Sequence, residues 1–202
     1  MSVTRDQLID FIYDEVRMLD EGRYDEWLSL WLPDGIYWMP LDYKQTDPIN
    51  QTSLLYEDMF MLKLRVERLN GARTFSQKPK SRCHHVIQRP FVDEMGEDRF
   101  VTNTSMHYVE TRLDEQQLLA LTVRHDLALV DGALRIAGKR VHHVLVFSSL
   151  VRTSFKSNYE VVNRMSMICS SSLPITGLVL ESCWSKLPRL RVTPASSASF
   201  SA

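Results

Sequence analysis

Apolar residues recur at Leu8, Ile9, Ile12, Val16 and Leu19, the three- and four-residue spacing of one helix face. Thr4 with Gln7 forms a capping-box pattern at the start and Gly22 closes the run, so a first helix is predicted between them. Trp27, Leu28, Trp31 and Leu32 then share a face if the chain is helical over about 24–32, and the Pro33-Asp34-Gly35 group turns it into a strand over 36–41. Pro40 sets that strand at a sheet edge or at its own end. A polar stretch with Pro48 predicts a loop over 43–50, and a helix over 56–69 stops at Asn70-Gly71. From Ser81 the period falls to two. Strands are predicted over 82–94, 99–112, 118–130 and 133–147, with turns at Met95-Gly96-Glu97-Asp98, over 113–117 and at Asp131-Gly132, the last a type I′ hairpin signal. In the third run Leu119, Leu121, Val123, Leu127 and Leu129 alternate with Ala120, Thr122, Arg124 and Asp126, which gives one dry and one wet face.

Helices first and antiparallel strands afterwards is an α+β order: a curved, mostly antiparallel sheet wrapped on helices. Three of the four tryptophans, Trp27, Trp31 and Trp38, fall between the end of the first helix and the end of the first strand, so the core is expected there. The length of 202 residues supports one domain, expected over 1–147. Residues 148–202 are serine-rich, hold six Lys or Arg and only two acids, Glu160 and Glu181, and show no sustained period. They are expected to be a poorly ordered extension. Lys plus Arg number 24 against 25 acids, so no overall field draws the chain to nucleic acid or an anionic membrane. No apolar run is long enough to span a bilayer and no signal-peptide pattern opens the chain, so the expected compartment is the cytoplasm. Cys83, Cys169 and Cys183 are widely spaced and odd in number, which fits reduced thiols.

Candidate chemistry is sparse. Cys83-His84-His85 contains Cys-x-His, half of a Rieske pattern, but neither Cys169 nor Cys183 is followed by a histidine three residues on. The pairs His84-His85 and His142-His143 lie on predicted strands, so the members of each point to opposite faces and cannot chelate one metal together without a bulge. His125 occupies the dry row of the third strand, either as hydrogen-bonded core or as a general base facing a cavity. Tyr37, His85 and His107 are the other acid-base candidates for a pocket, with Asp34 at its mouth. Asp20, Glu21, Asp25 and Glu26 are expected to form solvated ion pairs with Arg17 and Arg23. There is no Gly-rich phosphate loop, nucleophile elbow or zinc spacing.

One resemblance spans most of residues 5–145. It is carried by Leu19-Asp20-Glu21-Gly22-Arg23-Tyr24-Asp25-Glu26-Trp27-Leu28, by Tyr37-Trp38-Met39-Pro40-Leu41 and by Tyr56-Glu57-Asp58 with Leu62-Lys63-Leu64-Arg65-Val66-Glu67-Arg68-Leu69. Ser76-Gln77-Lys78-Pro79-Lys80-Ser81-Arg82 and Val130-Asp131-Gly132-Ala133-Leu134-Arg135-Ile136-Ala137-Gly138-Lys139-Arg140-Val141 follow in order. In these motifs the chain resembles the small, or beta, subunits of aromatic-ring-hydroxylating, Rieske-type dioxygenases. The resemblance implies a cone-shaped fold similar to nuclear transport factor 2 (cystatin-like) and to scytalone dehydratase. It implies a non-catalytic oxidoreductase subunit of aromatic hydrocarbon catabolism, self-associating as a trimer beneath a catalytic large (alpha) subunit in an α3β3 hexamer. The Rieske 2Fe-2S cluster and mononuclear Fe(II) would belong to that partner, fed from NAD(P)H through a reductase, with no catalytic, cofactor or metal residue in this chain. The alternative is a stand-alone dehydratase or isomerase using the cone pocket, with His125, His107, His85 and Tyr37 as its acid-base groups. The serine-rich end departs from the family, whose members finish with the last strand and a short apolar tail.

Overall fold

The structure, a computed structural model, describes residues 3–70, 82–112 and 115–144. The expectation for 148–202 lies outside them, as do Cys169 and Cys183. Helix α1 (Arg5–Glu21) opens with the capping box between Thr4 and Gln7 and ends where Gly22 takes the left-handed conformation, φ 72°. Its face of Leu8, Ile12, Val16 and Leu19 is buried, each such side chain contributing about 1.5–3 kcal/mol relative to exposure.

Helix α2 (Tyr24–Ser29) is shorter than expected. Trp31 is not on its face but begins strand β1 (Trp31–Pro40), and Trp27 meets it edge to face at 5.3 Å across the helix–strand junction. The helix yields because the backbone from Leu30 onward is taken up by the sheet. Ile136 N–H donates to the Leu30 carbonyl, and Trp31 stands opposite Ile136. Pro33 and Gly35 lie within β1 at the irregularity between Trp31 and Ile36. Strand β2 (Ser53–Glu57), which was not expected, lies after the expected loop and takes the first two residues of the helix expected over 56–69, and α3 (Met59–Asn70) follows it.

The expected strand over 82–94 is two strands, β3 (Arg82–Ile87) and β4 (Phe91–Met95), parted at Pro90, which has no N–H for the ladder. Strands β5 (Arg99–Arg112), β6 (Glu115–Val130) and β7 (Ala133–His143) form the predicted meander. Asp131 and Gly132 carry the two positive φ values of a type I′ turn, 52° and 76°. The sheet order is β2-β1-β7-β6-β5-β3, with β4 also paired to β5. Among the described strands only the β1–β7 pairing is parallel. Proline 40 sits at the end of β1, which is interior to the sheet. The core is built by α1, Trp27, Trp31, and Met59, Leu62 and Val66 of α3 against the alternating inner residues of the long strands.

Candidate functional site

Register across five strands sets Glu57, Tyr37, Lys139, His125 and Thr102 side by side in one cross-strand row. All five are buried, on the face covered by the helices. Two helical side chains answer the charges in this row. From α1, Glu15 accepts from Lys139 Nζ at 2.5 Å and from Trp27 Nε1 at 2.7 Å, and its other oxygen lies 3.7 Å from His125 Nε2. From α3, Arg65 donates through Nε to Glu57 at 2.7 Å and pairs with it again through Nη2. Burial pushes the Glu15 carboxyl up, but the Lys139 ammonium and the His125 ring outweigh it and hold the group well below the usual carboxylate range. Burial lowers His125, with the Glu15 carboxylate pulling the other way, so the ring is neutral at pH 7. Among the described residues neither ring nitrogen has a hydrogen-bond partner, nor do the Thr102 and Thr104 hydroxyls.

A second cluster lies where α1 ends against β3. Asp20 accepts from the His85 backbone N–H at 3.0 and 3.1 Å and faces His85 Nδ1 at 2.6 Å, while His84 Nδ1 lies 3.1 Å away. The two histidines do point to opposite faces, but β3 is an edge strand and one carboxylate placed at the edge reaches both. Across the ladder His85 neighbours Tyr108, and Cys83 neighbours Glu110. Burial, then the Asp20 and Glu110 charges, push the Cys83 thiol up to about 11. Burial and Glu110 likewise raise Tyr108.

Between the two clusters is a cavity of about 40 Å³, lined by Tyr37, Met39, His85, Tyr108, Lys139 and apolar neighbours. That is room for about three water molecules, where pockets that hold small organic ligands run to about 300–1,000 Å³. Of the four candidate acid-base residues, the structure brings Tyr37 and His85 to this cavity. His125 is sealed in the row beneath, and His107 stands on the exposed outer face of the sheet. Asp34 is exposed on β1 and does not border the cavity. Arg23 pairs with Glu21 and Glu26 as expected, whereas Arg17 reaches Asp14 and Asp20 is spent on β3.

A family model described as "Ring hydroxylating beta subunit" matches residues 14–148. The chain belongs to this family. The 2-halobenzoate 1,2-dioxygenase small subunit of Burkholderia cepacia is 30% identical over 139 residues, 66% of this chain and 84% of that one. Among solved structures, the beta subunit of the benzoate 1,2-dioxygenase from Burkholderia mallei superposes with a TM-score of 0.60 at 24% identity, covering 71% of this chain and 92% of that one. A nuclear transport factor 2-like protein with a cystatin-like fold from Novosphingobium aromaticivorans gives a TM-score of 0.50 at 12% identity, with coverage of 69% and 81%. The α+β fold expected from the strand meander is therefore the fold of this ring-hydroxylating beta subunit.

The donors among the described residues do not suit an iron–sulfur cluster. Cys83 keeps its proton at neutral pH, His85 Nδ1 is committed to Asp20, and no group of three metal-binding side chains occurs among the described residues. No helix among them is long and apolar enough to cross a membrane. The buried charges were the residues missed by sequence reasoning. Lys139, Glu57 and Arg65 were read only as parts of longer motifs, and Glu15 lies on the helix among the core positions Ile12, Val16 and Leu19, the one signal that could have flagged it.

Proposed function

We propose that this beta subunit is the non-catalytic small subunit of a cytoplasmic aromatic-ring-hydroxylating dioxygenase. It supports assembly of a catalytic large subunit that carries the Rieske 2Fe-2S cluster and mononuclear Fe(II), in an α3β3 hexamer with electrons drawn from NAD(P)H through a reductase. The observation that carries this reading is the family match over 14–148. The interior supports it. Helix side chains neutralise the polar row facing them, and the remaining cavity of about 40 Å³ is too small for an aromatic ring among catalytic groups. Neither the comparisons nor the placement of His107 and His125 favours the dehydratase or isomerase alternative.

The test is reconstitution. The purified chain is expected to contain no iron and no acid-labile sulfide, and to restore ring hydroxylation only when combined with its large subunit. Tyr37→Phe and His85→Gln are expected to keep the turnover per iron of the assembled complex. A Rieske absorption spectrum from this chain alone, or a hundredfold loss of turnover in those variants with assembly intact, would overturn the reading.

A further inference from the structure

On the face of the sheet turned away from the helices, Arg140 is a cation held in place without a carboxylate. Among the described residues its one hydrogen bond runs from Nη2 to the Gln45 carbonyl, it has no ion pair, and its Nε is buried with no partner. Its guanidinium lies 4.0 Å from the Trp38 ring, a cation–π stack. The groups that hold it are themselves fixed. Ser53 Oγ accepts from Trp38 Nε1 at 2.8 Å and from Gln45 Nε2 at 3.0 Å, and Gln45 also donates to the Gln51 carbonyl while its Oε1 accepts from the Leu41 N–H. Gln45 is buried, although glutamine is mostly a surface residue. The chain thus spends a buried amide, a hydroxyl and an indole on fixing one arginine. Arg124 stands opposite Arg140 on β6 and has its own partner, since its Nε and Nη2 both donate to Asp126, at 3.2 and 2.9 Å. Burial, then the Arg124 charge, weigh against the charged form of Arg140, and Asp126 offsets them only in part. One pair further along the same ladder His142 stands opposite Thr122, with its Nδ1 buried and without a partner among the described residues.

We infer that Arg140, with Thr122 and His142 beside it, is a binding site for a small oxyanion, either a planar carboxylate or a tetrahedral ion of the sulfate and phosphate type. The inference is independent of the assembly proposed above. A guanidinium offers planar N–H donors matched to anion oxygens, and such charge-assisted bonds are about twice as strong as neutral ones. The Trp38 stack and the Gln45 tether fix the donor before the ligand arrives, so little side-chain entropy remains to be lost on binding. Arg140, Thr122 and His142 are half-buried, neither sealed like His125 nor fully washed by solvent. Arg124 keeps Asp126, and Arg140 supplies the uncompensated charge. The site carries its own reporter. His142 is lowered by burial and then by the Arg140 charge. The charges around it come from its own strand and from β6, namely Arg140 with Arg124 and Asp126 next to it, while Thr122 across the ladder and Trp38 on β1 carry none. An anion on Arg140 cancels the second cause, so His142 titrates at higher pH when the site is filled, and by linkage the anion binds more tightly as pH falls.

Titration of the full chain with sulfate or with acetate, in sodium chloride of constant ionic strength, tests the site through the Trp38 indole N–H and His142 ring resonances. Saturable shifts at both residues are expected, and the tighter of the two probes tells a tetrahedral from a planar ligand. Sulfate is expected to bind about threefold or more tightly at pH 5.5 than at pH 7.5. Arg140→Gln is expected to weaken sulfate binding by about tenfold or more. His142→Gln leaves Arg140, its stack and its tether in place, and is expected to bind sulfate with an affinity that no longer varies over that pH range. Shifts that stay linear in sulfate, or that chloride reproduces, would overturn the inference. So would wild-type sulfate affinity in Arg140→Gln folded by circular dichroism, or an unchanged pH dependence in His142→Gln.

Discussion

Glu15 and Lys139 meet at 2.5 Å with both side chains buried. Both charges have lost most of their hydration, so each depends on the other, and deleting one leaves the partner buried and uncompensated. Lys139→Met is therefore expected to destabilise the fold by about 3–5 kcal/mol, and Lys139→Met combined with Glu15→Gln to recover much of that loss. Urea denaturation of the two variants checks it, and equal losses in both would show that the charges act independently. The same burial sets the acid limit of the fold. His125 and His143 both titrate below the ordinary histidine value of 6.5 in the folded chain, His143 at about 4, because burial disfavours the imidazolium. The unfolded chain thus takes up protons first. Stability is full above pH 6.5 and falls as pH drops toward the folded values. Glu15, depressed below 4.5, adds a further loss below about that pH. Urea midpoints measured from pH 7.5 to 4 are expected to decline steadily below 6.5, and a flat profile would show that these rings are accessible to solvent protons in the native state.

The junction of α2 and β1 shows how a neighbouring strand redirects a local preference. Trp27 and Trp31 have helical spacing, but helical backbone beyond Ser29 would cost the contacts with β7, and the edge-to-face stack is kept without it. Gly35 makes this possible. A Cβ there would lie 2.9 Å from the Trp31 ring, 3.0 Å from the Leu32 carbonyl oxygen and 3.2 Å from that of Ile136. Two of those neighbours are backbone and cannot swing away. Gly35→Ala is expected to cost about 1–3 kcal/mol through overpacking, read as a lower urea midpoint with near-UV circular dichroism of the tryptophans altered. At the other edge, Asp20 holds β3 to the end of α1 through a backbone and a ring N–H. Asp20→Asn is expected to remove about 1.5–3 kcal/mol of charge-assisted hydrogen bonding, and hydrogen exchange should speed up in β3 before it does in β6. Uniform exchange across both strands would show that β3 is held by its ladder alone.

For the assembled protein, a partner that binds only the folded chain raises its apparent stability by mass action. A gain of about 2.7 kcal/mol is expected when the large subunit is present at a hundred times its Kd. Thermal unfolding at rising large-subunit concentration measures this, and a melting temperature independent of that concentration would argue against the proposed assembly. The proposed scaffold role accounts for the salt-linked side chains on the pocket side of this fold: a scaffold gains from a filled, charge-matched interior, whereas an enzyme of the same fold must leave space there for its substrate.

Features that depend on near neighbours in the chain were legible without coordinates. The capping box at Thr4, the left-handed stop at Gly22, the long strands 99–112 and 118–130, and the Asp131-Gly132 turn all follow from spacing and from which residues tolerate positive φ. His125 could be placed in the dry row by alternation alone. What alternation could not supply was the partner across the sheet or above it. Glu15 and Lys139 are 124 positions apart, and His85 and Asp20 are 65 apart. Strand β2 is only five residues long and takes its register from β1, so no periodicity announced it. The same limit hid the Arg124–Arg140 opposition, which exists only because β6 and β7 pair in one register. A one-residue slip would send every side chain of a strand to the other face, and that register is set by the packing of α1 and the tryptophans on the sheet, which no local stretch of chain contains.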